Sequence, residues 1–590
     1  MQSAQPISVQ QQMLHRRLPL VVGVLLFFSG VLVTRLVLFQ APQDPAVATY
    51  IQRMRDASYG TTQRITAARG IIYDRNGQPM AVNTLLYRIG ISPRIVSDTD
   101  AATQSLAAIL NRDPLEIAEI LNSGAAWKLL ATNLEPEIWR KIDELDLTGI
   151  TSESIPRRYY PQGKLASQVI GFVGGEGDTF RGYLGTEDYY QSQLAGRTRN
   201  REVSNIPFDV PQNEERLDRG ADLVLTLDRD IQFLAEAELQ LAVEQYAAQS
   251  GTIIVMNPRT GDILAMVSYP AFDPNDVLNV EDERVLKNPA ISEIYEPGSV
   301  FKVLTVAAAL QQGTITPSWT YNDTGTLDIG GIAIQNWDKR AYGVVDVEQI
   351  LVNSLNIGVA TISGEMGIEK FYPMMLQFGI GQRTGVDLQG EVEGVLRIPN
   401  RDADWQASDL GANSYGQGVA VTPLQMLTAV NAIANGGLMM QPRIALQIVQ
   451  GEDILNLEPR VTGRPISAEV AKIVTEMMVA VVEDGLDEQA RLTGYTVAGK
   501  TGTAQIANAL GQYDETSSIM TFIGFLPADD PQISILVKLD RPKNGNWASS
   551  TAAPVFRRLA EQLVLMLEIP TDDVRYQLAA QGGVIGGIDR

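Results

Sequence analysis

The longest apolar stretch of the chain lies close to its N-terminus. Leu18–Thr34 contains no charged residue, and after one arginine four more apolar residues follow. Read as Leu18–Gln40, this stretch is long enough for one tilted transmembrane helix; a cleaved signal peptide ending near Ala46–Ala48 is the alternative. Arg16 and Arg17 precede it without any acid. We therefore expect a single-pass anchor in the cytoplasmic membrane, with the N-terminus inside and the rest of the chain outside.

Beyond the anchor, the hydrophobic pattern divides the chain in two. A proline-containing, charge-rich segment over Asn205–Gly220 predicts a linker. Before it, strand-like and helical patterns alternate; after it, a longer apolar pattern begins. The expected parts are a cytoplasmic N-terminus (1–17), a transmembrane anchor (18–40), a first outer domain (41–215), a second outer domain (216–575) and a disordered tail (576–590).

The second outer domain has a distinctive order of apolar segments. Two early strands are predicted at Thr252–Met256 and Ile263–Val267, joined as a hairpin. Ser299–Gln312 is apolar on all sides, which predicts a buried helix. Three late strands and a final helix follow, at Thr496–Gln505, Met520–Leu526, Ile533–Leu539 and Ala553–Leu567. The pattern predicts strands at both ends of the domain with a buried helix between them.

Composition restricts the available chemistry. The 590 residues include 47 Lys and Arg against 69 Asp and Glu, a net charge of −22, which argues against a nucleic-acid-binding protein. The chain has no cysteine, and its one histidine, His15, precedes the anchor. Disulfides and thiol catalysis are excluded, and we expect neither a Ser-His-Asp triad nor a metal or cofactor. Catalysis would have to use Ser, Thr, Lys, Tyr, Asp or Glu.

Three short motifs could supply that chemistry, and the first is Ser299-Val-Phe-Lys302. On a helix, residues three apart share a face, so the lysine amine would lie beside the serine hydroxyl. A nucleophilic serine needs a base, and a buried, neutral lysine can serve because burial lowers a lysine pKa. The alternative is a capping serine followed by an incidental lysine.

The other two motifs carry polar groups that suit a substrate site. Ser354-Leu-Asn356 places a hydroxyl and an amide where they could relay a proton and hold a carbonyl; a polar helix cap is the alternative. Lys500-Thr-Gly502, followed by Thr503, could bind a carboxylate from an edge strand, with Gly502 leaving room for substrate. The N–H groups of Ser299 and Thr503 could form an oxyanion hole. A turn containing glycine is the alternative for this segment.

A competing interpretation of the third motif is a nucleotide-binding loop. Gly494 to Thr501 matches the pattern G-x-x-x-x-G-K-[ST]. Such a loop follows a hydrophobic strand and opens a helix, whereas Glu483–Arg491 is acidic and polar, and Gly502 is unfavourable in a first helical turn. The context therefore disfavours a phosphate-binding loop.

The order and spacing of the three motifs resemble those of penicillin-binding proteins and serine β-lactamases. Within this group, the local sequence resembles class B penicillin-binding proteins in four segments: Tyr295–Lys302, Tyr415–Gly418, Val421–Gln425 and Lys500–Gln505. Upstream, Arg69–Gly77, Arg158–Pro161 and Gly185–Glu187 resemble the pedestal, or dimerisation, domain of that family. The resemblance extends from the anchor to about residue 570.

The resemblance implies an α+β transpeptidase domain, a five-stranded antiparallel sheet flanked by helices, preceded by an elongated pedestal. It implies a serine-type D,D-transpeptidase that cross-links peptidoglycan through an acyl-enzyme, releases D-Ala and is inhibited by β-lactams. Ser299 would be the nucleophile, Lys302 its base, and Ser354 and Asn356 the assisting pair; Lys500, Thr501, Gly502 and Thr503 would bind the donor peptide. Expected partners are a D-Ala-D-Ala donor, an amine acceptor, a polymerase of the SEDS class and divisome membrane proteins.

Several alternatives remain open at the level of sequence. The sequences of the motifs resemble those of division-type class B penicillin-binding proteins more than those of the elongation type. A β-lactamase or D,D-carboxypeptidase would share the motifs, although Asn356 supplies no carboxylate to activate water. A non-catalytic cell-wall scaffold would tolerate loss of the motifs, which are intact here. Trp337 fits either a substrate groove or surface packing, and Arg69, Asp74 and Arg75 are interpreted as a structural ion network.

Overall fold

The structure is a computed structural model that describes residues 9–40, 49–50, 59–66, 68–175, 180–196, 198–204, 219–507 and 513–581. The described residues fall into two compact units. One contains the N-terminal helix together with β1 and β8, and the other contains the remaining elements.

The α-helices are α1 (Val9–Gln40), α2 (Thr99–Leu110), α3 (Pro114–Leu121), α4 (Pro136–Asp143), α5 (Ser167–Ile170), α6 (Gly185–Tyr189), α7 (Gln191–Leu194), α8 (Arg229–Tyr246), α9 (Pro289–Ser292), α10 (Lys302–Gln311), α11 (Val347–Val352), α12 (Asn356–Met366), α13 (Ile368–Gln377), α14 (Ala407–Ser414), α15 (Pro423–Ala434), α16 (Ala468–Glu483), α17 (Ala552–Met566) and α18 (Asp572–Ala580). The strands are β1 (Tyr59–Thr66), β2 (Ile72–Tyr73), β3 (Pro79–Ile91), β4 (Lys128–Leu134), β5 (Ile150–Tyr159), β6 (Phe172–Gly174), β7 (Arg181–Tyr183), β8 (Thr198–Ser204), β9 (Asp222–Leu225), β10 (Ser250–Met256), β11 (Ile263–Tyr269), β12 (Thr320–Asp323), β13 (Leu327–Ile329), β14 (Ile332–Ile334), β15 (Gly343–Asp346), β16 (Met439–Met440), β17 (Ala445–Gln450), β18 (Asp453–Asn456), β19 (Val461–Gly463), β20 (Ala498–Ala507), β21 (Tyr513–Leu526) and β22 (Ile533–Asp540).

The first unit consists of a long apolar helix and a two-stranded ribbon. Helix α1 includes Leu18–Leu36, whose mean hydropathy of 2.1 and length are sufficient to cross a membrane. None of that window is buried within the protein. Strands β1 and β8 pair antiparallel. The helix is therefore compatible with the single-pass anchor that the sequence predicts.

A central five-stranded antiparallel sheet organises the second unit. Its order is β11-β10-β22-β21-β20, so β20 lies at one edge. Alternate residues of β10 enter two different cores: Ile253 and Val255 pack with α8 and α17, whereas Ile254 and Met256 pack with α10 and α15. Because helices cover both faces of the sheet, β10 is apolar on both sides from Ile253 to Met256. The sheet, the hairpin and the buried helix agree with the fold expected from the sequence.

A second sheet crosses the expected domain boundary at residues 215 and 216. Strand β2 pairs antiparallel with β3 and parallel with β9, and β9 pairs antiparallel with β17. Strands from both sides of the linker therefore share one hydrogen-bonded sheet, of order β18-β17-β9-β2-β3-β4, with β5 paired to β3. Residues 205–218 of the expected linker are not among the described residues.

A buried ion cluster lies beside this sheet. Glu187 accepts hydrogen bonds from Arg69 Nε and Arg158 Nε, both at 2.6 Å, and its side chain is fully buried. Asp74 does not join the cluster; its carboxylate accepts from the backbone N–H groups of Asn76, Gln78 and Arg229. Of the three residues expected to form an ion network, Arg69 alone belongs to this cluster, and its partners are Glu187 and Arg158 rather than Asp74 and Arg75.

The C-terminal helix corrects one expectation. Helix α18 extends to Ala580, past residue 576, where we expected a disordered tail to begin. Arg575, only 1% exposed, explains the ordering, because it pairs with Asp529, Asp530 and Asp572. Residues 582–590 of the expected tail lie outside the described residues.

Candidate active site

Ser299 lies in a tight helical turn at the start of the buried helix. Gly298–Phe301 forms a 3₁₀ turn that leads directly into α10. Side chains three residues apart eclipse one another in a 3₁₀ helix, so Ser299 and Lys302 project from the same side. N–H groups at a helix start have no intrahelical acceptor, which leaves the Ser299 N–H available. Ser299 is partly exposed, which a nucleophile would require.

The Tyr415–Gly418 segment supports this turn from one side. The Gly298 N–H donates to the Gly416 carbonyl at 3.2 Å. Gly416 has φ of +81°, and a Cβ atom there would overlap the Gly298 backbone, so only glycine fits. The Gly418 N–H donates to Glu296 at 2.9 Å. The motif therefore shapes the backbone around Ser299.

The amine of Lys302 lies at the centre of the site. Its Nζ donates to the Ser354 carbonyl at 2.6 Å and to Asn356 Oδ1 at 2.7 Å, and it lies 3.2 Å from Ser354 Oγ. A neutral amine has two N–H groups, which the two short contacts use. Its lone pair then remains available to accept a proton from a hydroxyl.

Burial favours this neutral form. The Lys302 side chain is 0% exposed, and none of the described carboxylates forms an ion pair with it. Burial lowers the pKa of Lys302 well below its ordinary value, and the charge of the nearby Lys500 lowers that pKa further. An amine that is neutral near physiological pH can act as a general base.

Ser354 and Asn356 reach the lysine from the junction between α11 and α12. Ser354 adopts φ of +53°, an uncommon conformation for a residue with a side chain. Asn356 begins α12, and its Nδ2 donates to the Gln335 carbonyl at 2.9 Å, which fixes the amide so that Oδ1 faces Lys302. The positive φ of Ser354 allows both its carbonyl and its hydroxyl to approach the lysine.

The Lys500–Thr503 segment lies on β20, the edge strand of the central sheet. A Cβ atom on Gly502 would lie 2.6 Å from the Pro297 carbonyl oxygen and 2.8 Å from Val300 Cγ2. The missing side chain therefore lets the strand approach the Ser299 turn. The sequence predicts room for substrate at Gly502, whereas in the structure the Pro297 carbonyl and the Val300 side chain lie in that space.

The N–H groups along this edge indicate where Thr503 points. The Thr501 N–H is not used by β21; it donates to Asp487 Oδ2 at 2.8 Å. Residues two apart in a strand direct their N–H groups to the same edge. The Thr503 N–H therefore points to the open edge, toward the Ser299 turn. Its hydroxyl oxygen accepts from the Ala548 N–H at 3.3 Å, which leaves the hydroxyl hydrogen free to donate.

Two residues at the site were not singled out from the sequence. Asp487 is fully buried and contacts Lys500 and Thr501. Trp547 makes an edge-to-face contact with Trp337, with ring centroids 5.2 Å apart. Trp337 also donates from Nε1 to the Asn353 carbonyl at 3.1 Å. No local pattern marks these contacts, because Trp337 and Trp547 are far apart in the sequence, and Asp487 reaches β20 across the intervening turn.

The models of two known protein families match this chain. The model of the family described as "Penicillin binding protein transpeptidase domain" matches residues 251–561, just over half of the chain. That of the family described as "Penicillin-binding Protein dimerisation domain" matches residues 64–206. The three motifs all lie within the first match, and the Glu187 cluster lies within the second.

Individual relatives are similar to this chain along most of their own length. Stage V sporulation protein D of Bacillus subtilis is 32% identical over 505 residues, covering 82% of this chain and 76% of that protein. Peptidoglycan D,D-transpeptidase MrdA of Acinetobacter baumannii is 30% identical over 551 residues, covering 84% and 80%. The crystal structure of penicillin-binding protein 3 of Mycobacterium tuberculosis with aztreonam has a TM-score of 0.67 at 29% identity, covering 86% of this chain and 98% of that one. The chain therefore belongs to the class B penicillin-binding proteins, a family of serine-type peptidoglycan D,D-transpeptidases.

Proposed function

We propose that this chain cross-links peptidoglycan through an acyl-enzyme on Ser299. The Ser299 hydroxyl gives its proton to Lys302 as its oxygen attacks the penultimate D-Ala carbonyl of a donor stem peptide. The C–N bond to the terminal D-Ala then breaks, and that D-Ala leaves as an amine after receiving a proton. An amine of a neighbouring stem peptide attacks the ester, forms the new amide and releases Ser299. One amide replaces another, so no nucleotide is needed.

The observation that carries this proposal is the environment of Lys302. A lysine that is fully buried, held by a carbonyl and an amide oxygen and without a carboxylate partner among the described residues is suited to accept a proton. Ser354 Oγ, at 3.2 Å, is placed to pass that proton onward to the leaving amine. Asn356 orients the lysine and assists in positioning the substrate.

The remaining roles follow from the edge strand. The N–H groups of Ser299 and Thr503 would stabilise the tetrahedral oxyanion. Lys500, Thr501 and Thr503 would hold the terminal carboxylate of the donor. Thr503 has a free hydroxyl hydrogen, whereas the Thr501 hydroxyl donates to Asp487 at 2.7 Å and would have to turn toward the substrate. β-Lactams would acylate the same serine; penicillin-binding protein 3 of Mycobacterium tuberculosis forms complexes with aztreonam and with ampicillin.

The biological setting is proposed on coarser grounds. The apolar helix would anchor the chain in the cytoplasmic membrane, with residues 1–17 inside, a pedestal over 41–215 and a catalytic domain over 216–575 outside. The sequences of the motifs favour a role in septal synthesis, with elongation as the alternative. The expected partners are a SEDS-class polymerase and divisome proteins. Depletion in the host separates the two: filaments with unfinished septa support the septal role, and rounded cells support elongation.

Labelling with a fluorescent penicillin tests the acyl-enzyme. The full-length protein in detergent should gain one penicilloyl unit, mapped by mass spectrometry to Ser299 and slow to hydrolyse. Ser299→Ala should abolish labelling, whereas Ser292→Ala, which removes a hydroxyl bonded to the Asn288 carbonyl nearby, should retain it. Rapid hydrolysis without accumulation would instead favour a β-lactamase or carboxypeptidase. Folded wild-type protein that does not react would favour the scaffold alternative.

A further inference from the structure

Asp487 is a fully buried carboxylate beneath the substrate-binding strand. It lies immediately before the short helical turn Glu488–Ala490, which follows α16. Its Oδ2 accepts the Thr501 N–H at 2.8 Å, and its Oδ1 accepts the Thr501 hydroxyl at 2.7 Å. The same Oδ2 lies 3.8 Å from Lys500 Nζ. Burying a carboxylate is unfavourable unless it is paired and hydrogen-bonded, and Asp487 meets both conditions.

Asp487 takes the place of a neighbouring strand. Because β20 is an edge strand, its outward N–H groups have no partner within the sheet. Asp487 satisfies the Thr501 N–H, and the next N–H on that edge belongs to Thr503. The carboxylate therefore fixes the strand directly beside the position proposed for the oxyanion.

The charges around Lys500 form a set of three groups. Lys500 is 1% exposed. It faces Asp487, which lies in the turn after α16, and Lys302, which lies on α10. Two buried lysines share this region, and among the described carboxylates only Asp487 forms an ion pair with either of them. One buried anion can compensate the charge of one buried cation. Because Asp487 contacts Lys500, we infer that Lys500 is that cation.

The titration of the two lysines is consistent with this assignment. Burial lowers the pKa of Lys500, and the adjacent Asp487 opposes that shift. For Lys302, burial lowers the pKa and the charge on Lys500 lowers it further, with no opposing carboxylate. A cation at Lys500 and a neutral amine at Lys302 are the states that the proposed reaction needs.

We propose that Asp487 is a positioning residue that keeps Lys500 as the cation of the site, and thereby keeps Lys302 as its neutral base. The inference rests on the proposed acyl-enzyme function. Lys500 would meet the donor carboxylate, and Asp487 would act only through Lys500 and Thr501.

The pH profile of acylation tests this role. The second-order rate of acylation by a carboxylate-bearing penicillin should rise with pH as Lys302 loses its proton and fall as Lys500 loses its own. In Asp487→Asn, the charge on Lys500 has no counter-ion, so the alkaline limb should move to lower pH by about one to three pH units. At a fixed pH above that limb, the acylation rate should fall by about tenfold for each pH unit that the limb moves.

Glu488→Gln is the matched control. It removes the same charge from the next residue, which is exposed and, among the described residues, forms no ion pair with Lys500, so its profile should match the wild type. Asp487→Ala is a second test if the asparagine amide disturbs folding, because it too removes the charge. Thermal unfolding establishes which variants are folded.

Each outcome bears on a separate claim. A folded Asp487 variant with an unshifted alkaline limb, and a rate loss equal at every pH, would overturn the proposal and leave Asp487 a structural residue. Loss of folding in both Asp487 variants would overturn it in the same way. Wild-type protein that forms no adduct on Ser299 would instead contradict the proposed function itself.

Discussion

Asn356 Oδ1 lies 2.7 Å from Lys302 Nζ, so an uncharged amide occupies a position where a carboxylate would form an ion pair. A carboxylate would stabilise the ammonium form of the lysine and raise its pKa. An amide accepts the same hydrogen bond without doing so. The neutrality of Asn356 thus supports the proposed role of Lys302 as a base.

Asn356→Asp should therefore slow acylation at neutral pH. The introduced carboxylate raises the Lys302 pKa by about one to three pH units, which reduces the neutral fraction at any pH below the new value. The acid limb of the acylation profile should move to higher pH by the same amount. Asn353→Asp, which adds the same charge nearby without contacting Lys302, should shift the limb much less. Equal shifts in both variants would contradict the role of the contact.

Gly502→Ala should impair acylation without unfolding the domain. The added methyl group would lie 2.6 Å from the Pro297 carbonyl oxygen, which forces β20 away from the Ser299 turn. Displacement of an oxyanion donor by about 1 Å reduces rates by roughly 10²-fold. Gly364→Ala, in α12 with open space around it, should acylate like the wild type. Stopped-flow acylation with a chromogenic β-lactam measures both; a normal rate in Gly502→Ala would refute this geometry.

Glu187→Gln should destabilise the protein strongly. Glu187 is buried between Arg69 and Arg158, and removing its charge leaves two buried guanidinium groups without a counter-ion. Breaking such a pair typically costs about 3–5 kcal/mol. The control is Glu116→Gln, which breaks an exposed pair with Arg112 and should cost under about 1 kcal/mol. Denaturant unfolding compares the two, and similar losses would show that the cluster is not energetically important.

Trp337 and Trp547 should be energetically coupled. Trp337 is hydrogen-bonded beside Ser354, and Trp547 precedes Ala548, whose N–H donates to Thr503. Their edge-to-face contact should contribute about 0.5–1.5 kcal/mol. A double-mutant cycle of Trp337→Ala and Trp547→Ala on thermal unfolding measures this coupling. Strictly additive effects would mean that the rings do not stabilise one another.

Local patterns were sufficient for most of the catalytic domain. The apolar strands, the buried helix from Ser299 and the three polar motifs all follow from neighbouring residues, because side-chain period and motif spacing are local properties. Helix α18 was not predictable in this way. Arg575 orders α18 through aspartates more than 40 positions earlier as well as through Asp572.

The sequence by itself determined the N-terminal apolar helix, the absence of cysteine and downstream histidine, and the identity of Ser299, Lys302, Ser354, Asn356 and Lys500 as candidates. Only the tertiary structure decided that the turn carrying Ser299 packs against β20, that Lys302 is fully buried beside Ser354, and that Asp487 pairs with Lys500. It also decided that β2 and β9 share a sheet across the linker. The physical reason is that pKa values and edge-strand partners depend on burial and on long-range contacts, which no local pattern encodes.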